Sequence, residues 1–279
     1  MGHKNKPRLM PEDMDLMERI VRHGFVDMDY VYRFSYTAKK ERTIVDRLNQ
    51  LVLYDYLIID KTFIPPNCTA SYRTGYKIIT LGKKGLQLME DMGYDVKDNT
   101  KAFLSYSSYY MYHQVQVATV CDILQQEYEQ GVSNWYVDEI LNEKEAYLEE
   151  ASNRPDAVLI FKHKDRTKTS AVLVYLELER SYPKQERLER KIRAYNRLVN
   201  EELYANALSL TVIDHRVLFV SKVRNDRQLL IRKIQEYKGK IDFNLLVAGY
   251  ENVTKEPLND IYEMPLHVEE TYKLMGQLP

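Results

Sequence analysis

Three carboxylates in the second half of the chain are spaced to act together. Asp156, preceded by Pro155, opens one apolar run, and Glu177 and Glu179 close the next with Leu178 between them. If both runs are strands, the alternation of side chains puts Glu177 and Glu179 on one face. A hairpin of this length then lets Asp156 approach them. Three converging carboxylates repel unless they are protonated, paired with cations or bridged by a divalent metal. Arg154, Arg180, Lys184 and Lys191 are close enough in sequence to supply the cations. The plainer reading involves no chemistry: Asp156 caps a turn, and Glu177 and Glu179 pair with Arg180, Lys184 or Arg187.

The elements that must position these residues follow from apolar patterning. Ala157-Val158-Leu159-Ile160-Phe161 and Ala171-Val172-Leu173-Val174-Tyr175-Leu176 read as buried strands joined by a charged turn, His163 to Thr169. A long helix from about Phe103 to Gln130 precedes them, and a basic amphipathic helix, Lys184 to Asn200, follows. Next come a strand at Val217–Val220, a helix from Asp226 to Tyr237 and a strand at Phe243–Ala248. Strands alternating with helices imply a mixed or parallel sheet covered on both faces. The tail from Glu256 onward gives no pattern.

The amino-terminal part has a different layout. Met14, Met17, Ile20 and Val21 recur at helical spacing after a Pro-Glu-Asp start, and a short helix fits Asp27 to Phe34. From Lys39 to about Leu53, Ile44, Leu48 and Leu51 form one stripe, while Lys39, Lys40, Arg42, Thr43, Arg47 and Gln50 form the other face. Tyr56–Asp60 and Tyr76–Ile79 then read as a hairpin with a long tip at Pro65-Pro66-Asn67, and Thr80 as the cap of a helix over Leu81–Met92. Three helices followed by a hairpin is the order of a winged helix. Between residues 31 and 89, ten Lys and Arg stand against four Asp and Glu, the local polarity that phosphate binding needs. In such a unit the third helix enters the major groove. Arg42, Thr43 and Arg47 face bases or phosphates, while Lys39, Lys40, Arg73 and Lys77 grip the backbone. The plainer alternative for the same residues is a solvated charged face on an ordinary helix.

Length and composition set the outer limits. At 279 residues two domains are expected, divided at the polar segment Asp91–Thr100 into residues 1–95 and 101–279. The formal net charge of -1 conceals any basic surface in the whole-chain sum. No run of 18 apolar residues and no signal-like start predict a protein that neither spans a membrane nor is secreted. Two cysteines, Cys68 and Cys121, give no disulfide framework and fit the cytoplasm. The six histidines lack metal-ligand spacing, so zinc is not expected. Gly82-Lys83-Lys84-Gly85 lacks the spacing of a phosphate-binding loop, and no nucleophile elbow or histidine-flanked tyrosine site of a relaxase is present.

These motifs together resemble the replication-relaxation family of plasmid and mobile-element proteins. The likeness is carried by Pro155-Asp156 at a strand start, Glu177-x-Glu179-Arg180 closing the next strand, and Lys191 and Tyr195 on the following helix. It is carried also by Arg22-His23-Gly24-Phe25, Arg47-Leu48, Tyr76-x-x-x-Thr80-Leu81-Gly82 and His113. It covers about residues 12 to 250. The resemblance implies an N-terminal winged helix followed by a C-terminal PD-(D/E)xK nuclease-like mixed-sheet domain, similar to restriction endonucleases. It further implies work in plasmid replication, DNA relaxation or conjugative transfer.

One departure matters. Asp156 and Glu177 match the first two acidic positions of an active nuclease, but Glu179 stands where the lysine should be. An anion there removes electrostatic stabilisation of the charge that develops on a phosphorane. Lys184 or Lys191 of the next helix could replace it.

The expected function is therefore duplex DNA binding as an accessory factor, with a degenerate nuclease-like domain and relaxase or replication proteins as partners. A homodimer is expected from the habit of winged helices to read two half-sites. One alternative is a DNA endonuclease using Mg²⁺ or Mn²⁺ at Asp156 and Glu177, with Glu179 and Lys191 completing the site. Another is a transcriptional regulator with a dimerisation domain.

Overall fold

A computed structural model describes residues 7–62, 76–96, 106–151, 153–179, 184–267 and 270–276. By packing, the chain divides into two units, Met1–Ala118 and Thr119–Pro279. The dividing point lies inside a long helix. Part of the polar segment expected as the linker (97–100), the hairpin tip and Arg73 lie outside the described residues.

The first unit begins with α1 (Pro11–His23), whose buried side chains Leu16, Met17 and Ile20 recur at helical spacing. It ends at Gly24, whose φ of 79° is a conformation that side chains disfavour. A two-residue strand, β1 (Val26–Asp27), leads into α2 (Met28–Phe34), capped by Asp27, whose carboxylate accepts from the Tyr30 N–H. Helix α3 (Glu41–Leu53) buries Ile44, Leu48 and Leu51 and starts after Lys40, two residues later than periodicity alone placed it. Strands β2 (Leu57–Thr62) and β3 (Tyr76–Leu81) pair antiparallel, and β1 joins on the far side of β3. Helix α4 (Lys83–Asp91) follows. Thr80 does not cap it, because that residue is within β3 and its hydroxyl donates to the Gly24 carbonyl at 2.9 Å. Helix α4 passes so near the start of β2 that a Cβ on Gly85 would lie 2.1 Å from the Tyr56 carbonyl oxygen.

Helix α5 (Ser108–Gln130) starts in the first unit and ends in the second. Its Met111, Tyr112 and Val115 pack with Phe25 and Ile78, and Tyr106 and Tyr110 join them. His113 is buried on the same helix.

The second unit is built on a seven-stranded mixed sheet. Strand β4 (Trp135–Asn142), which periodicity did not reveal, pairs antiparallel with β5 (Ala157–His163), which pairs antiparallel with β6 (Ala171–Glu179). Helices α6 (Gln185–Asn200) and α7 (Leu203–Leu208) cross over to β7 (Val212–Ser221), parallel to β6. Helix α8 (Arg224–Glu236) crosses to β8 (Asn244–Gly249), parallel to β7. After α9 (Tyr250–Lys255), the tail that lacked a pattern adds β9 (Tyr262–Glu263) and β10 (Thr271–Tyr272) at the sheet edge.

Every residue of β6 is buried, as expected of a strand covered on both faces. One face packs Val158, Leu173, Tyr175 and Val217 against Leu188, Ile192 and Tyr195 of α6 and Leu230 of α8. On the other face Tyr128 of α5 meets Phe161 edge-on, with ring centroids 5.1 Å apart. Among the described residues no helix is long and apolar enough to cross a membrane.

Candidate functional site

Register and alternation bring the three expected carboxylates to one end of the β5–β6 pair. Ala157 lies opposite Leu176, which sets Asp156 across from Glu177. The Asp156 N–H donates to the Leu176 carbonyl (3.0 Å), and its carboxylate accepts from the Leu178 N–H (2.7 Å). Glu177 and Glu179 continue the odd-numbered series of Leu173 and Tyr175, and therefore face α6. Both are buried.

Lys191, reaching down from α6, bridges them. Its Nζ is 2.6 Å from Glu177 Oε2 and 2.7 Å from Glu179 Oε1. One turn later on the same helix face, Tyr195 donates its hydroxyl to Glu177 Oε1 at 2.7 Å. Both oxygens of Glu177 are thus engaged. The cation that closes the cluster is neither Lys184 nor Arg187 of the plainer sequence reading, and Arg180 lies outside the described residues. Residue 191 wins because it is one helical turn from the buried Leu188 and Tyr195, so its stem lies on the sheet-facing side while Arg187 is exposed.

The electrostatics follow from burial. Loss of water pushes the Glu177 carboxyl up, Lys191 pulls it down, and Asp156 and Glu179 push it up again, leaving it at about 7. Burial works against the Lys191 ammonium, but the two glutamates beside it outweigh that and hold its proton more tightly than usual. Burial and the Glu177 charge raise the Tyr195 phenol far above its ordinary value, so it serves as a donor.

A divalent ion, which the nuclease-like resemblance implies at Asp156 and Glu177, does not fit this arrangement. The Lys191 ammonium takes one oxygen of Glu177 and Tyr195 takes the other, so neither oxygen of that carboxylate is left for an ion shared with Asp156. Among the described residues, no group of three His, Cys, Asp or Glu side chains is arranged to hold a metal.

The seven basic-face residues of the first unit separate into different roles. Lys40, Arg42 and Thr43 are exposed around the first turn of α3. Arg47, four residues after Thr43 and on its side of the helix, is turned to other partners. Its Nε donates to Asp13 Oδ1 at 3.0 Å, its Nη2 bonds both Asp13 Oδ2 and, at 2.7 Å, the Arg8 carbonyl. Asp13 is fully buried, and it also accepts from the Tyr36 hydroxyl (2.6 Å) and the Met10 N–H (2.6 Å). Arg47 is therefore the counter-charge of a buried acid. Lys39 is likewise drawn away, 2.8 Å from Glu12 and 5.4 Å from the centroid of the Tyr36 ring. Lys77 is half-buried and lines a cleft of about 220 Å³ with Val45, Leu48, Asn49 and Ile59 among others. Arg73 lies outside the described residues.

Sequence reasoning missed Asp13, whose place in the first turn reads as an ordinary helix-dipole acid. Asn49 was also missed. It lies seven residues after Arg42, hence on the same stripe of α3, and is exposed.

No protein-family model matches the chain, and no curated protein matches it. Among solved structures, the restriction endonuclease FokI bound to DNA is similar at 9% identity and a TM-score of 0.30. The alignment takes in 87% of this chain and 43% of that one, so the chain spans less than half of that structure's length. A likeness this loose leaves both fold and function to be argued from the chain itself.

Proposed function

We propose that the chain is a duplex-DNA-binding protein, with a winged helix in its first unit and a nuclease-type sheet in its second whose acidic centre is closed by Lys191. The observation that carries this reading is the Lys191 bridge to Glu177 and Glu179 beside Asp156. An antiparallel three-stranded meander, a crossover helix and a parallel fourth strand hold that acid–lysine cluster, a mixed sheet as the resemblance implies. In this reading the ammonium is the counter-charge of Glu177 and Glu179, and the alternative, in which Lys191 replaces the missing lysine of an active site, is decided by the cleavage test below.

DNA binding in the first unit rests on the order of α1, α2, α3 and the β2–β3 hairpin, and on the exposed Lys40, Arg42 and Thr43. Arg42 is the residue placed to reach a base edge, with Asn49 one stripe position further along. Lys40 faces phosphate. Arg47 and Lys39 pair with Asp13 and Glu12 of α1 and are not among the DNA contacts. Within this reading the chain serves plasmid or mobile-element replication, relaxation or transfer as a homodimeric accessory factor, beside a relaxase or replication protein.

Gel-shift titration of the full chain on duplexes from an origin region, with parent and Arg42→Gln proteins, tests the reading. Parent binding that weakens in the variant supports it, and equal binding or none removes it. Cleavage with Mg²⁺ or Mn²⁺ that disappears in Asp156→Ala and Glu177→Ala would instead establish the endonuclease reading.

A further inference from the structure

The charge of the second unit is segregated. Residues 184–240 hold fourteen Lys and Arg against seven Asp and Glu, whereas residues 119–183 and 241–279 together hold nine against twenty. The fold gathers this basic segment on one side. Helices α6 and α8 pack on the same face of the sheet through Leu188, Ile192, Leu198, Leu230 and Ile234. Polar bonds tie α6 to α8 and to the loop after it: Gln185 donates to the Lys233 carbonyl of α8 at 3.4 Å, and Asn196 donates to the Lys240 carbonyl at 2.6 Å and accepts from the Asp242 N–H at 2.8 Å.

The outer surface of this layer is dominated by arginine. With Leu188, Ile192 and Tyr195 facing inward, helical periodicity sends Arg190, Arg193 and Arg197 to the opposite side, with Arg187 on the flank, and all four are exposed. Arg193 and Arg197 meet only exposed partners a turn away, Glu189 at 3.5 Å and Glu201 at 2.9 Å, pairs that contribute little in water. Among the described residues Arg187, Arg190 and, on α8, Arg232 have no carboxylate partner. Glu186 and Glu236 are exposed on the same helices and reduce the excess without cancelling it.

We infer that the outer face of α6 and α8 is a second duplex-DNA surface, one that grips phosphates without reading bases. The inference rests on the DNA-binding reading above and assigns it a contact far from α3 in sequence. Guanidinium groups one turn apart on an exposed helix suit a polyanion with regularly repeated charge, and each phosphate they neutralise releases counterions. A bilayer suits the face less well. Insertion needs large apolar side chains beside the cations, and none is exposed on α6 or α8 themselves; within residues 184–240 only Ile213 and Val223, the latter at the α8 N-cap, are exposed among the described residues.

The test is fluorescence anisotropy of the full chain on a random-sequence duplex across a salt series, repeated with anionic phosphatidylglycerol vesicles. The variant carries Arg187→Gln, Arg190→Gln, Arg193→Gln and Arg197→Gln together, and a companion carries Lys at the same positions to keep the charge. We expect the Gln variant to bind on the order of tenfold or more weakly at low salt, with the slope of log affinity against log salt reduced by about 2 to 4. The Lys companion should retain most of the slope, which separates lost charge from lost fold. An unchanged slope in the Gln variant, while Arg42→Gln still weakens specific binding, overturns this surface and leaves the DNA reading intact. Loss in neither variant overturns both. Binding of the parent to vesicles but not to duplex assigns the face to lipid and also overturns the inference.

Discussion

Lys191 Nζ lies 2.6 Å from Glu177 Oε2, at the end of the β5–β6 pair where Asp156 also stands. The same ammonium is 2.7 Å from Glu179 Oε1. Glu179 stands on β6 where the resemblance implies a lysine, and the lysine that reaches the cluster comes from α6, one ammonium between two buried glutamates with Asp156 beside them.

Removing that side chain should be costly. Lys191→Ala leaves two buried carboxylates without their cation, a change of about 3–5 kcal/mol, read from urea unfolding. The variant also exposes oxygens able to take a hard cation. Mn²⁺ should therefore raise the melting temperature of Lys191→Ala and leave the parent unmoved. Equal response in the two proteins would show that the ammonium does not exclude metal.

The Glu177 carboxyl sets a pH dependence of definite sign. Its folded value of about 7 lies above the ordinary glutamate value, so the folded chain binds the proton more tightly than the unfolded chain. Its contribution to stability is greatest below the ordinary value and falls as pH rises through about 7. His215, half-buried beside Tyr175 and shifted down by partial loss of water, acts in the opposite direction. Comparison with Glu177→Gln isolates the first effect: the stability of the parent relative to the variant should decrease between pH 5 and pH 8. A constant difference would contradict it.

Arg47 and Arg42 should separate stability from binding. Arg47→Ala strands the fully buried Asp13 and should lose about 3–5 kcal/mol of stability, while the protein that remains folded binds duplex as the parent does. Arg42→Ala, at an exposed position, should leave unfolding within about 0.5 kcal/mol of the parent and weaken specific binding by about 1–3 kcal/mol. Unfolding curves and anisotropy on the same two proteins check both halves.

Asp13 also gives an acid-side prediction. Despite its burial, the bonds from Arg47, Tyr36 and Met10 hold its carboxyl below the usual range. A carboxyl depressed in the folded state contributes stability above its unfolded value, and that contribution is lost as pH falls through the folded one. Asp13→Asn should therefore flatten the stability profile below about pH 4; a profile parallel to the parent's would contradict the assignment.

Strict alternation made the acidic centre readable. Asp156, Glu177 and Glu179 flank uninterrupted apolar runs, so period and hairpin length alone are enough to bring them together. The helical spacing of Leu188, Ile192 and Tyr195 equally fixed the inward face of α6, though not how far the Lys191 stem would reach. The fate of Arg47 was not legible, because it depends on a partner 34 residues earlier whose burial no local pattern signals. Strand β4 escaped notice because its Asp138 and Glu139 sit at a register shift that breaks the alternation. Strands β9 and β10 are two residues each, too short for any period to show.

The most direct measurement is a single agarose gel of supercoiled plasmid incubated with the full chain and Mg²⁺ or Mn²⁺, run before and after the protein is stripped off. The account predicts a retarded band that returns to the supercoiled position on stripping. Plasmid that is never retarded, or that is nicked or linear once the protein is gone, would contradict it.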